Sequence, residues 1–343
     1  MTPADVTSTG TAVFVGSPLR IGTRASDLAL TQSGQVGEAL VAGTDHPVEL
    51  VHVSTHGDRD RTSPLAQIGG TGVFVTAVRQ ALLDGTVDVV VHSCKDLPTA
   101  PLTEITLACY PVREDPRDAL CARDGLTLDQ LPAGAKVGTG SPRRAAQLLR
   151  ARPDLEVLGI RGNVETRLNR ALGTEADLDA VVLAASGLRR VGREAAISEL
   201  LDPSVMLPAP AQGALAVEAT TAALAERPWF ARRLDAVDDP ATRAAIAAER
   251  ALLATLEAGC SAPVAAFAEL EADEEGAAGV LRLRALAIRT DGSHAVEGEA
   301  RVALDLDADQ LSGPGSVPAE LGEELAADLL SRGAGEILAE ARA

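Results

Sequence analysis

Val87-Asp88-Val89-Val90-Val91-His92-Ser93-Cys94-Lys95-Asp96-Leu97-Pro98 changes character in mid-run. β-branched residues dominate Val87–His92, which predicts a buried strand. Polar and reactive groups follow it directly, and Pro98 closes the segment. In open α/β sheets, ligands bind beyond the carboxyl ends of the strands, so this is where chemistry is expected. The sequence on either side repeats the unit. Upstream, Leu19–Thr23 and Val48–Val53 read as strands, with helices over Asp27–Val41 and Val73–Leu83. Downstream, Ile105–Tyr110, Ala119–Cys121, Lys136–Thr139, Leu155–Ile160 and Ala180–Ala184 read as strands. Helices follow the last three, over Arg143–Ala151, Val164–Ala171 and a short stretch to Val191. This alternation implies α/β units with mainly parallel sheets.

The prolines of Pro203–Pro210 mark a crossing segment, and Gly213–Ala219 is one more strand. The last hundred residues differ. A long helix covers Ala241–Leu256, three alternating segments follow (Val264–Leu270, Val280–Ile288, Ala295–Leu304), and a final helix runs over Ala319–Ala339 with weak points at Gly333 and Gly335. Strands followed by a helix predict a small α+β domain with an antiparallel sheet.

Composition narrows the function. The net charge of −18 argues against nucleic acid, because phosphate binding needs a basic face. Lys95 and Lys136 are the only lysines, so the cations are nearly all arginine, whose planar fork matches carboxylates. Cys94, Cys109, Cys121 and Cys260 form no CxxC pair and read as reduced thiols. The five histidines are scattered, so no metal site is expected. No apolar run is long enough to span a bilayer, and Met1–Gly16 lacks the basic start of an export signal. The expectation is a cytoplasmic protein with no membrane partner and a disordered segment over residues 1–17.

The strand ends share a pattern. Arg24 and Ser26 follow the first strand; Thr139, Ser141, Arg143 and Arg144 follow Lys136–Val137. Arg161, Gly162, Asn163 and Arg167 follow Leu155–Ile160, and Arg190 follows Ala180–Leu183. Lys95 stands after the central strand. This predicts a cleft for a polyanion. Ser141 before Pro142 is a good helix start, and the free N–H groups there suit an anion. Two arginines in that first turn oppose the helix dipole unless an anion lies between them. An ordinary capped helix with exposed arginines is the plainer reading of that segment alone. Asp96 is placed to act as acid, base or cation stabiliser, with Lys95 keeping it ionised; a simple Lys/Asp turn is again the plainer reading. His92 reads as a satisfied sheet-end residue and Cys94 as packing. Gly259 reads as the stop of the long helix, which leaves Cys260 on a loop as an accessible thiol or a buried inert one. The segment His56–Gly72 fits no phosphate-binding motif and reads as a lid.

Taken in order, these segments resemble the porphobilinogen deaminase (hydroxymethylbilane synthase) family from about Leu19 to Pro263. The motifs are Arg24-x-Ser26-x-Leu28-Ala29-Leu30-x-Gln32, His92-Ser93-x-Lys95-Asp96-x-Pro98, Ser141-Pro142-Arg143-Arg144, Arg161-Gly162-Asn163-x-x-Thr166-Arg167, Gly187-Leu188-x-Arg190, Pro210-x-Gln212-Gly213 and Leu256-Glu257-x-Gly259-Cys260-x-x-Pro263. The resemblance implies two α/β domains like those of periplasmic binding proteins and a third, smaller α+β domain. Their expected extents are 18–113 with 209–232, then 114–208, then 233–343. It implies a transferase that condenses four porphobilinogen molecules head-to-tail, with loss of ammonia, onto a dipyrromethane cofactor attached to Cys260, and releases hydroxymethylbilane. Asp96 and Lys95 would be catalytic, Asp96 stabilising the electron-poor azafulvene cation left when ammonia departs. Lys95, Ser93, Asp96, Thr139, Ser141, Arg143 and Arg144 would bind the cofactor. Arg24, Ser26, Gln32, Arg161, Gly162, Arg167, Arg190 and Gln212 would bind substrate. It further implies a monomer, no metal, and a transient hand-off of product to uroporphyrinogen-III synthase.

The chain departs from the family pattern at four places. Gln67 and Thr71 stand in the lid where basic residues are usual, Pro142 replaces a leucine, Cys94 a methionine, and Ala211 a glycine. The alternative is a non-catalytic two-lobed anion-binding protein, which would carry no covalent modification. A transcription regulator with such an effector domain would need a DNA-binding helix pair, and none is legible.

Overall fold

The computed structural model describes residues 17–53, 72–259, 262–272, 278–306 and 311–342. The expectations for the N-terminal segment, the lid and Cys260 itself therefore lie outside the described residues, apart from the ends of the first two. The chain begins with β1 (Leu19–Thr23), α1 (Asp27–Val41), β2 (Val48–His52), α2 (Gly72–Leu83), β3 (Val89–Ser93) and β4 (Ile105–Cys109). It then crosses to β5 (Asp118–Ala122), β6 (Lys136–Thr139), α3 (Pro142–Ala151), β7 (Glu156–Gly159), α4 (Val164–Leu172), β8 (Ala180–Ala184), α5 (Ala185–Arg190) and β9 (Glu199–Leu200). It returns through β10 (Leu215–Thr220), α6 (Thr221–Glu226) and α7 (Pro228–Val237). The remainder is α8 (Pro240–Thr255), β11 (Val264–Ala272), β12 (Ala278–Ile288), β13 (Ala295–Asp305), α9 (Val317–Ser331) and α10 (Ala334–Arg342).

Two five-stranded sheets have matching orders, β2-β1-β3-β10-β4 and β7-β6-β8-β5-β9. β1 and β6 pair in parallel with both neighbours. The antiparallel member of each sheet, β10 or β5, is the strand that has just crossed from the other lobe. This reciprocal exchange is the two-lobed α/β architecture expected. Each sheet is covered on both faces, which is why an inner strand such as β8 is apolar throughout rather than alternating. In lobe 1, Ile21, Val89, Val217 and Phe230 pack on one side, and Val78, Leu82, Val87 and Val90 on the other. In lobe 2 the two sides are Leu120, Val137, Leu148 and Val182, and Cys121, Leu168, Val181 and Leu188.

The third unit is an antiparallel sheet β11-β12-β13 against α8 and α9, as an α+β domain requires. It docks on lobe 2 through Ala265, Leu286 and Ile288, which meet Ala146 of α3 and Leu207. Three expectations change. The final helix is two, α9 and α10, divided at Gly333 with φ +99°. α6, α7 and β9 were not foreseen; α7 is held by Phe230 and Leu234 in the lobe 1 core, a tertiary contact with little local signal. The long helix ends at Thr255, one residue short of the expected Leu256, but Gly259 is not what stops it. Glu257 takes the left-handed turn, φ +49°, while the Ala258 N–H bonds back to the Leu253 carbonyl at 3.1 Å and closes the end.

Candidate active site

The expected site residues cluster near the strand ends and along the crossings. β3 ends at Ser93, and a single 3₁₀ turn, Cys94–Asp96, places Lys95 and Asp96 beyond it. Ser26 caps α1, its Oγ accepting the Ala29 N–H at 3.3 Å, which brings Gln32 one turn further toward β3. Gln32 is buried and its Nε2 donates to Ser93 Oγ at 3.0 Å. Arg24, Ser26, Gln32, Ser93 and Asp96 thus line one cavity of about 230 Å³ between α1, α2 and β3. Asp96 and Ser26 are its exposed members, and Asp96 can face a ligand. A larger hollow of about 920 Å³ lies elsewhere, by His46 and Trp229, and contains none of the expected site residues.

Ser141 caps α3 with Pro142 in the first turn, as its sequence requires. The helix turns Arg143 and Arg144 inward, where both are buried. Arg143 Nη1 lies 2.8 Å from Asp118 Oδ2 and donates to the Leu207 carbonyl at 2.6 Å. Its Nε and Nη2 are buried without a hydrogen-bond partner among the described residues. Arg144 Nε donates to Asp118 Oδ1 at 2.9 Å, with Nη2 2.8 Å from the same oxygen. Gln212, fully buried, donates through Nε2 to Asp118 Oδ1 and to the Pro116 carbonyl, both at 2.8 Å. Its Oε1 accepts from Lys95 Nζ at 3.1 Å and from Arg144 Nη2 at 3.3 Å. Lys95 of lobe 1 is thereby linked to the two arginines of lobe 2. Thr139 sits beneath, its Oγ1 accepting the Ser141 N–H at 3.3 Å.

Two buried guanidiniums share the one carboxylate of Asp118. Its charge is held well below the usual carboxylate range by Arg143 and Arg144 in spite of the burial that opposes ionisation. Burial pushes Lys95 down to about 8, with Arg144 adding to the shift and Asp96 and Asp118 opposing it. Arg143 is lowered chiefly by burial, and so is Arg167, which feels Arg144 and Asp96. Arg143, Arg144 and Lys95 thus cluster around Asp118 and Asp96, so cations outnumber carboxylates here.

Other expected residues are placed differently. Arg161 is exposed, and Gly162 turns at φ +111°. Arg167 Nε is buried with no hydrogen-bond partner among the described residues. Arg190 donates to the Gly213 carbonyl at 2.6 Å, at the return crossing. His92 Nε2 lies 3.1 Å from Glu218 Oε2, beside Arg79, so it is the satisfied residue expected and not a free base. Cys94 is fully buried, and burial pushes its thiol up to about 11, which suits packing. Asp118 and the buried pair Arg113–Glu249 were missed. Asp118 carried one signal: a carboxylate opening the apolar run Ala119–Ala122 must be paired if the strand is buried.

A group bearing several carboxylates fits this donor set: the nitrogens of Arg143 and Arg167 that lack partners among the described residues are the kind that carboxylate oxygens satisfy. Fold and site thus define a two-lobed α/β protein with arginines and a lysine gathered where the lobes meet. The family model for the porphobilinogen deaminase dipyromethane cofactor binding domain matches residues 19–225, and that for the porphobilinogen deaminase C-terminal domain matches 244–331. The chain belongs to the porphobilinogen deaminase family, a family of enzymes. Porphobilinogen deaminase of Thermobifida fusca is 52% identical over 95% of this chain and 98% of its own, and that of Nocardia farcinica 51% identical over 97% and 91%. Among solved structures, a YaeC-family lipoprotein from Enterococcus faecalis superposes with TM-score 0.37 at 14% identity, over 65% of this chain and 91% of that one. Protein PG110 from Staphylococcus aureus does so with TM-score 0.38 at 16% identity, over 66% and 88%.

Proposed function

We infer that this chain condenses four porphobilinogen molecules head-to-tail, with loss of ammonia, and releases hydroxymethylbilane. The observation that carries the assignment of residues is the surplus of buried cation, Arg143 and Arg144 on one carboxylate with Lys95 beside them, next to a cavity that ends in Asp96. When bound to Cys260, the dipyrromethane supplies the pyrrole α-carbon from which the chain grows. Arg143, Arg144 and Lys95, with Thr139, Ser141 and Ser93 around them, hold its carboxylates and orient it. Arg24, Arg161, Arg167 and Arg190 hold the acetate and propionate groups of substrate, with Ser26, Gln32, Gly162 and Gln212 shaping the seat. Asp96 accepts the pyrrole N–H and stabilises positive charge on the incoming ring as ammonia leaves.

Most residues in that scheme come from strand ends, from the helices that follow them or from a crossing, and the three-domain division expected from the sequence is part of the reading. A monomer in the cytoplasm, with transient hand-off of its product to uroporphyrinogen-III synthase, completes it. Among the described residues, no helix is long and apolar enough to cross a membrane.

The test is the intact mass of the purified protein beside a Cys260→Ser control. The native chain should be heavier by two linked pyrrole units and the control should not. If neither gains mass, even after incubation with porphobilinogen, the protein is an anion binder and not this enzyme.

A further inference from the structure

We propose that Asp118 is a positioning residue for the reaction: by holding Arg143, Arg144 and Gln212 together, it fixes how those arginines and Lys95 meet the pyrrole carboxylates. The proposal rests on the reading of these cations as carboxylate sites. Asp118 is fully buried, and a carboxylate among pyrrole carboxylates would repel them, so its role is through the arginines and not through ligand contact. It is the first residue of β5, the strand reached just after the chain crosses between lobes.

Its two oxygens are used differently. Oδ2 meets only Arg143 Nη1 among the cations, an ion pair at 2.8 Å that makes no hydrogen bond, whereas Oδ1 collects Arg144 Nε and Nη2 and Gln212 Nε2 within 2.8–2.9 Å. The consequence falls on Gln212. With its amide nitrogen committed to Asp118 and the Pro116 carbonyl, its oxygen has to turn toward Lys95 and Arg144. Asp118 therefore orients Lys95, in the other lobe, through one intervening amide. Arg143 is held by one edge, at Nη1, and keeps Nε and Nη2 without a hydrogen-bond partner among the described residues. A purely structural ion pair would be expected to satisfy its donors, since a buried unsatisfied group is costly. Holding Arg143 by part of its fork leaves the rest for a ligand, whereas every nitrogen of Arg144 is already engaged by Asp118, Gln212 or the Val182 carbonyl.

Asn at position 118 keeps the shape and loses the charge. The charged groups facing Lys95 are Arg144, Asp96, Asp118 and Arg143. Without Asp118, the two arginines act on Lys95 less opposed, so its titration moves to lower pH.

The experiment compares Asp118→Asn, Gln212→Met and Arg144→Gln with the unmodified chain. It measures thermal midpoint, the number of pyrrole units covalently held by intact mass, and kcat and KM from neutral to alkaline pH. Asp118→Asn should raise KM and lower kcat/KM by roughly a hundredfold, the scale of a small misplacement of reacting groups, and shift the alkaline limb to lower pH. A folded Asp118→Asn protein with normal loading, KM and pH profile would overturn the proposal. Should that variant not fold, Gln212→Met cuts the link to Lys95 while leaving both ion pairs. An unmoved limb and unchanged KM there overturn it equally. Arg144→Gln separates the two levels: full loading and turnover in that variant refute the carboxylate-site reading itself, whereas loss there beside normal Asp118→Asn behaviour refutes only the positioning role.

Discussion

Lys95 shows how a single side chain can be tuned by what surrounds it. Its ammonium is half-buried near two arginines, and burial, then Arg144, brings its pKa down from 10.5 to about 8. Below that value it is charged and able to hold a carboxylate; above it, it is neutral. Turnover of cofactor-loaded enzyme should therefore decline as pH rises through about 8, and Lys95→Arg, charged throughout, should abolish that limb. A kcat profile in which the limb persists in Lys95→Arg would assign it to another group. The sign for stability is the reverse. Between about 8 and 10.5 the unfolded chain binds the proton and the folded chain does not, so this lysine favours the folded state increasingly across that window. Asp96, Lys95 and the arginine-bearing strand ends were legible from local sequence. Ala211 was noted only as standing in place of a glycine; it holds φ +63°, a left-handed backbone where glycine is at ease.

At the scale of elements, the helix starts were the most legible features because their chemistry is local. Ser141 and Asn163 cap α3 and α4 as their side chains dictate, Asn163 Oδ1 accepting the Thr166 N–H at 2.8 Å. Helix contacts were not legible. Gly322 of α9 faces α8 so closely that a Cβ there would lie 2.2 Å from the Ala248 carbonyl oxygen. Gly322→Ala should force the two helices apart and cost roughly 1–3 kcal/mol, the usual toll of overpacking. Urea unfolding reads this directly, and a variant as stable as the parent would show that α9 can shift freely on α8. No local pattern warns of this, since a glycine inside a helix looks merely unfavourable until its neighbour is known.

For the whole molecule, the junction of the three units depends on Glu249 of α8. This fully buried carboxylate pairs with Arg113, Nη1 to Oε1 at 2.7 Å and Nη2 to Oε2 at 3.1 Å, on the outward crossing. It also accepts the N–H of Ala211 on the return crossing and that of Ala268 on β11, the latter at 2.7 Å. Arg113 Nε meanwhile donates to the Gln212 carbonyl at 2.8 Å. One ion pair thus fastens both interlobe crossings to the third unit. Glu249→Gln leaves the Arg113 charge enclosed without its partner and should destabilise the protein by roughly 3–5 kcal/mol. Chemical denaturation measures it, and a loss well under 1 kcal/mol would mean that water or another carboxylate replaces Glu249.

The sequence by itself determined the alternation of strands and helices, the α+β character of the last hundred residues and the arginines at the strand ends, because each rests on periodicity or on contacts within one turn. Its ordered motifs also carried the resemblance to the family. Only the tertiary structure decided which arginines are enclosed and which stay open. Arg143 and Arg144 are buried on Asp118 across a separation of 26 residues for Arg144, while Arg161 remains exposed. Glu249 meets Arg113 across 136 residues, and Gln212 meets Lys95 across 117. Pairings of that kind leave no local pattern in the chain. They arise because buried charges must find partners once the two crossings bring distant segments together.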